Sequence, residues 1–199
     1  MNTAILTGLF GFALASTVTP GPNNMMLMAS GANFGFRRTL PHMLGIVGGL
    51  TVMAFLVGAG LMVLFETFPA LKLVLEVVSV AYLLYLAAKI AMTKSMKDAD
   101  GAGKPMRFLQ AAAFQWVNPK AWAMCLSAVT LYAPDRSLVS ITIVAAMFAL
   151  VCFPAISVWA WLGTVVRQWL SSVARLRLFN FTMAFLLIAS LYPVLGLSA

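Results

Sequence analysis

The chain has 199 residues, 62% of them apolar and only 9% charged, with mean hydropathy +0.97 and formal net charge +8. A soluble domain carries about 25% charge and about half apolar residues, so the composition indicates lipid as the surrounding medium. The basic excess lies between apolar runs rather than on one folded face, which argues against nucleic acid as a partner, and the short alternating segments of a β-barrel are absent.

No Asp, Glu, Lys or Arg occurs in residues 1–36, 43–65, 137–166 or 178–199. A helix needs about 20 residues to cross the hydrocarbon. Six spans are predicted, at roughly 4–30, 43–65, 71–92, 108–132, 138–162 and 178–197. The fold expected is an all-α membrane protein, a single transporter domain over 1–199.

The first span starts without the positive segment of a cleaved signal peptide, so it is read as part of the mature protein. It contains "TVTPGPNN", Thr17 to Asn24. Pro20 and Pro22 have no N–H for the carbonyls of Ser16 and Val18, so the helix should break there. In lipid an orphan polar group costs several kcal/mol, and such a break persists only where protein, water or a ligand meets it. A broken helix offers two ends. Carbonyls before Pro20, with Thr19, suit an ammonium, and free N–H groups after Gly21 and Pro22 suit a carboxylate. Asn23 and Asn24 add uncharged donors and acceptors. One break could therefore hold both ends of a zwitterion.

In the second span His42, the only histidine, follows Pro41 at the predicted inner end. A structural place at the interface and a proton-linked role are both open to it. Gly31-x-x-x-Gly35 and Gly45-x-x-x-Gly49 fit close helix packing within the chain, and a homodimer stays open. Glu66 and Glu76 read as solvated helix ends near the outer face. In the third span, Lys72, Glu76 and Lys89 lie near the ends, where they can snorkel. The fourth span repeats the awkward chemistry in "FQWVNPKAW", Phe114 to Trp122, where Pro119 frees the carbonyl of Gln115. Asn118 and Lys120 are the counterparts of the asparagines in the first break. Lys120 could bind a carboxylate or equally snorkel to the interface. Pro154 in the fifth span reads as a kink. Cys125 and Cys152 read as core residues with neither metal-ligand nor disulfide spacing. Interface anchors are expected among Tyr82, Tyr85, Trp116, Trp122, Trp159, Trp161 and Trp169.

Ten basic residues follow spans 1, 3 and 5 (Arg37, Arg38, Lys89, Lys94, Lys97, Lys104, Arg107, Arg167, Arg175 and Arg177), against Lys72 and Arg136 on the opposite side. The positive-inside rule then places the 93–107 loop in the cytoplasm and both termini outside. Two sets of three spans in tandem must come out inverted, giving repeats at 1–92 and 108–199. Pro20 and Pro119 are 99 residues apart, and each precedes an arginine, Arg37 or Arg136, by 17 residues. Proline-interrupted first spans in both halves, helices 1 and 4, are the pattern that marks a transporter's binding site.

With "TPGPNN" in the first segment, "GANFGFRR" after it and "FQWVNPKAW" opening the second half, the chain resembles the lysine exporter (LysE) superfamily over essentially its full length. The similarity is to the RhtB-type branch, which handles homoserine, threonine and other neutral amino acids. The "PGPNN" form is particularly similar to the subgroup that exports cysteine and O-acetylserine. The resemblance implies a secondary exporter, not an enzyme, in a bacterial inner membrane. Its partners are then an amino-acid substrate, protons and the bilayer, and it needs no cofactor or metal. It also implies that Pro20, Gly21, Pro22 and Asn23 carry the first motif and Asn118, Pro119 and Lys120 the second, with Asn24 matching the narrower subgroup. The lack of interior acids makes a lysine- or arginine-selective pocket less attractive than one for a small neutral amino acid, while a carbonyl-lined cationic site stays open. A metal-cation exporter would call for clustered Asp, Glu, His or Cys within the spans, and no such cluster is visible. A membrane enzyme would need a nucleophile with a base, and His42 has no such partner motif.

Overall fold

The computed structural model describes residues 1–93, 104–170 and 172–191, and every regular element among them is helical. In chain order these are α1 (Thr3–Val18), α2 (Pro22–Phe34), α3 (Phe36–Leu56) ending in a π turn (Val57–Leu61), α4 (Met62–Thr67) and α5 (Ala70–Ala91). After them come α6 (Phe108–Phe114), a 3₁₀ turn (Gln115–Val117), α7 (Pro119–Tyr132), α8 (Leu138–Arg167) and α9 (Val173–Ala189).

Among the described residues three helices are long and apolar enough to cross a membrane, Phe36–Leu61, Leu73–Ala91 and Leu138–Arg167. Helices α1 and α2, bent by 56° at their break, make a fourth if the pair is one span. The fourth expected span is divided into helices of 7 and 14 residues. The sixth is a 17-residue helix, and its expected end at 192–197 lies outside the described residues, as do Lys94 and Lys97. Several boundaries differ from expectation. Arg37 and Arg38 lie in the first turn of α3 rather than in a loop, α8 runs on to Arg167, and α9 starts at Val173 with Arg175 and Arg177 inside it. Arginine has a high helix propensity and a long apolar stem, so charge alone marks the membrane edge and not the helix end.

Helix α8 packs against α1, α2 and α3. Leu9, Leu27, Met43, Ile46, Phe148 and Ile156 are buried together at these contacts. A second cluster joins α2, α5 and α9 through Met26, Leu83 and Leu187. Large apolar side chains also point outward, Leu150 in mid-α8 being 72% exposed, a surface that suits lipid and not water. α8 continues through Pro154.

The close crossings depend on glycine. A Cβ on Gly31 would lie 2.1 Å from the Ala160 carbonyl oxygen, and one on Gly163 would lie 2.1 Å from that of Met28, so the backbones of α2 and α8 touch. Gly45 and Gly49 likewise bring α3 against α6, where a Cβ would lie 2.3 Å from the Phe108 carbonyl oxygen and 2.7 Å from Ala112 backbone atoms. These are the intramolecular contacts expected of Gly31, Gly45 and Gly49. Gly35 departs from expectation. Its φ of +83° forms the turn between α2 and α3, a conformation that a side chain rarely tolerates.

Candidate functional site

α1 stops at Val18, where the prolines remove the next donors. The Thr19 N–H and hydroxyl both turn back to the Ala15 carbonyl, at 3.1 and 2.5 Å. Gly21 crosses the gap in extended backbone, and Pro22 opens α2 at its first position, where a missing N–H is harmless. Of the carbonyls left at the end of α1, those of Thr17, Val18, Thr19 and Pro20 find donors. The Asn24 amide donates to Thr17 at 2.8 Å and to Thr19 at 2.9 Å. The Trp159 indole N–H donates to Val18 at 3.0 Å. The Lys120 ammonium donates to Thr19 at 2.5 Å and to Pro20 at 3.3 Å.

The second break solves the same problem locally. The Gln115 carbonyl, denied its helical partner by Pro119, accepts from the Asn118 N–H at 3.2 Å through the 3₁₀ turn. Asn118 caps α7 by accepting from the Lys120 N–H at 3.2 Å. The Trp122 indole donates to the Trp116 carbonyl at 2.9 Å.

The two breaks meet. Asn23 donates to the Gln115 side-chain oxygen at 2.9 Å, and the Gln115 amide returns a bond to Asn23 at 3.2 Å. Gly21 lets Lys120 pass, since a Cβ there would lie 2.7 Å from the lysine Cδ. Ser16, Thr17, Asn23, Asn24, Asn118 and Lys120 supply the polar lining of a cavity of about 20 Å³, on the order of one water molecule. Ile46, Leu50, Met124, Cys152 and Ile156 supply apolar lining. A larger cavity of about 100 Å³ lies further along α2, with Ser30, Asn33, Lys89, Thr93 and Lys104 in its lining. Beside it Asn33 donates to Asn180 at 3.0 Å, and Asn180 donates to the Thr93 carbonyl at 3.1 Å.

The structure thus brings Thr19, Pro20, Gly21, Pro22, Asn23, Asn24, Gln115, Asn118, Pro119 and Lys120 to one junction. Lys120 is directed onto backbone carbonyls instead of out to the interface. His42 is the exception. It is absent from the junction cavity and is 2% exposed, with both ring nitrogens lacking a hydrogen-bond partner among the described residues. Trp159, expected among the interface anchors, belongs to the first break, and nothing in its local sequence separates it from Trp161. Cys152 is a buried residue as expected, but it also faces the cavity. No group of three His, Cys, Asp or Glu suited to a metal occurs among the described residues.

The family model described as LysE type translocator matches residues 14–190. The chain is 32% identical over 120 residues to the cysteine/O-acetylserine efflux protein of Salmonella typhimurium and 31% identical over 120 residues to that of Escherichia coli (strain K12). Each match covers 60% of this chain and 61% of the relative, so the chain matches about three fifths of these relatives' length. No solved structure matches it. The chain belongs to the LysE family, a family of membrane translocators and not of enzymes.

Proposed function

We propose that this LysE-type protein is a secondary exporter of small neutral amino acids of the cysteine, O-acetylserine, threonine or homoserine class. On this reading it works across a bacterial inner membrane, with both termini outside and proton-driven alternating access. The observation that carries the reading is the junction of the two broken helices, where Asn23 and Gln115 pair across 92 residues beside a cavity lined by polar groups, Lys120 the one charged among them, together with apolar side chains. The apolar lining fits a short neutral side chain, and no acid lines the cavity among the described residues, which disfavours a lysine- or arginine-selective pocket. The names of the relatives support the cysteine/O-acetylserine end of the class.

Six spans in two inverted halves are supported by the packing of corresponding elements, α3 on α8 and α5 on α9, and by the meeting of the two breaks. A cavity of about 20 Å³ is smaller than any amino acid, so substrate enters only when the elements around the junction part. Alternating access supplies that movement. The larger cavity along α2 is a stage on the inner route. His42, buried and without a partner among the described residues, is the residue proposed to link the cycle to protons.

The test is flux in reconstituted vesicles with radiolabelled cysteine, O-acetylserine, threonine and homoserine under an imposed proton gradient. Transport that collapses with an uncoupler is expected. Flux indifferent to the gradient removes proton coupling, and no flux from folded protein for any of the four removes the export reading.

A further inference from the structure

The proposed substrate is a zwitterion, and a broken helix can in principle hold both of its charges. The junction does not divide its groups evenly. At the end of α1, the Thr17 carbonyl is taken by Asn24, that of Val18 by Trp159, that of Thr19 by Asn24 and Lys120, and that of Pro20 by Lys120. The Gly21 carbonyl accepts from the Met25 N–H at 3.0 Å. These five oxygens, though not the Ser16 carbonyl that Pro20 frees at the cavity's edge, are engaged by the protein's own donors and closed to a substrate ammonium.

Lys120 brings the formal charge to this cavity. Its ammonium has three donors, and two are directed to Thr19 and Pro20. The chain holds only five acids, Glu66, Glu76, Asp98, Asp100 and Asp135, and among the described residues none lines the cavity. The cation is therefore held by neutral dipoles, with one N–H to spare and no counter-ion.

Two substrate poses compete. In one, the substrate's ammonium displaces Lys120 from the carbonyls. That exchanges one cation for another and strands Lys120 without a partner in a low-dielectric site, a costly outcome. In the other, Lys120 stays on the carbonyls and its spare N–H meets the substrate's carboxylate. That pose breaks no existing bond and adds a charge-assisted one.

We infer that the junction recognises its substrate through the carboxylate, with Lys120 held on the Thr19 and Pro20 carbonyls as the anion seat, and that the substrate's amino group has no ionic partner there. The inference rests on reading the junction as the substrate site. It assigns the ligand class as small monocarboxylates with a short side chain, the 2-hydroxy acids isosteric with neutral amino acids included.

The test uses the purified full chain in detergent, with thermal stabilisation as the binding readout, and L-cysteine, L-cysteine amide and 3-mercaptolactate as probes under reducing conditions. Cysteine and 3-mercaptolactate should bind within about threefold of each other, and the amide about tenfold or more weaker, the loss expected for one charge-assisted hydrogen bond. Lys120→Met should erase the preference for acid over amide, and Lys120→Arg should keep it. Equal or tighter binding of the amide, no binding of either acid, or an intact preference in Lys120→Met overturns the inference. If Lys120→Met does not fold, the wild-type series and Lys120→Arg still decide. Acid-selective binding without flux in vesicles leaves the carboxylate seat standing and removes export. Flux that treats cysteine and its amide alike does the reverse.

Discussion

The two breaks begin from the same defect, a proline that removes a helical donor, and repair it in opposite ways. Around Gln115–Pro119 the repair comes from within seven residues: a 3₁₀ turn, the Asn118 cap and the Trp122 indole. At Val18–Pro22 two of the donors arrive from elsewhere, Lys120 from 101 residues away and Trp159 from 141. A locally repaired break has one geometry whatever its neighbours do. A remotely repaired break keeps its geometry only while α7 and α8 stay in place. The first break is thus the place where a movement of helices, or a ligand, changes which bonds are made.

The comparison can be tested by removing matched donors. Asn24→Ala strips the buried Thr17 carbonyl and the more open Thr19 carbonyl of their amide, at about 1–3 kcal/mol for a buried acceptor left unpaired. Thr19 keeps Lys120, so a loss of about 2–3 kcal/mol is expected, together with loss of efflux. Asn118→Ala removes one cap and should cost about 1 kcal/mol. Thermal unfolding in detergent gives both values, and a larger loss for Asn118→Ala would invert the comparison.

A smaller effect comes from the indoles. Trp159→Phe and Trp122→Phe each keep an aromatic ring and delete one donor, worth about 1 kcal/mol. Trp159→Phe should lower the transport rate, because its carbonyl belongs to the break that depends on distant partners. Trp122→Phe should lower stability and leave the rate of the folded fraction alone. Equal rate effects would show that the breaks act as one.

The smallest effect is a control away from both breaks. In the turn before α8, hydrogen bonding from Ser137, then Ser140, holds the Asp135 carboxyl below its ordinary range. A depressed folded value gives stability above the ordinary carboxylate range that is lost as pH falls through the folded value. Asp135→Asn should slightly flatten the acid side of a stability profile without altering efflux, and an effect on efflux would mean the turn before α8 takes part in the cycle.

How far the sequence anticipates this arrangement follows from the range of each interaction. Proline acts on the carbonyl four residues back, so both breaks and their candidate residues are legible at Pro20, Pro22 and Pro119. The pairing of Asn23 with Gln115 and the use of Lys120 as a carbonyl cap are not, because they depend on which helices meet. Gly35 shows the same limit. A G-x-x-x-G spacing is shared by packing stripes and by a helix that ends in glycine, and only the backbone angle separates them. His42 follows Pro41 at the end of a predicted span, and sequence position alone does not show that its ring is buried among neighbouring helices. Gly163 escaped because its partner, Met28, is on another helix and leaves no local spacing.

The contact between α2 and α8 sets a rule for tolerated change along these helices. At Gly31 and Gly163 the opposing atom is a carbonyl oxygen about 2 Å from where a side chain would begin, and backbone has no rotamer with which to retreat. Sequence drift that spares lipid-facing positions such as Leu150 is therefore closed off here even to alanine. A saturation library read by membrane abundance should show two empty columns at these glycines and a broad spread at Leu150.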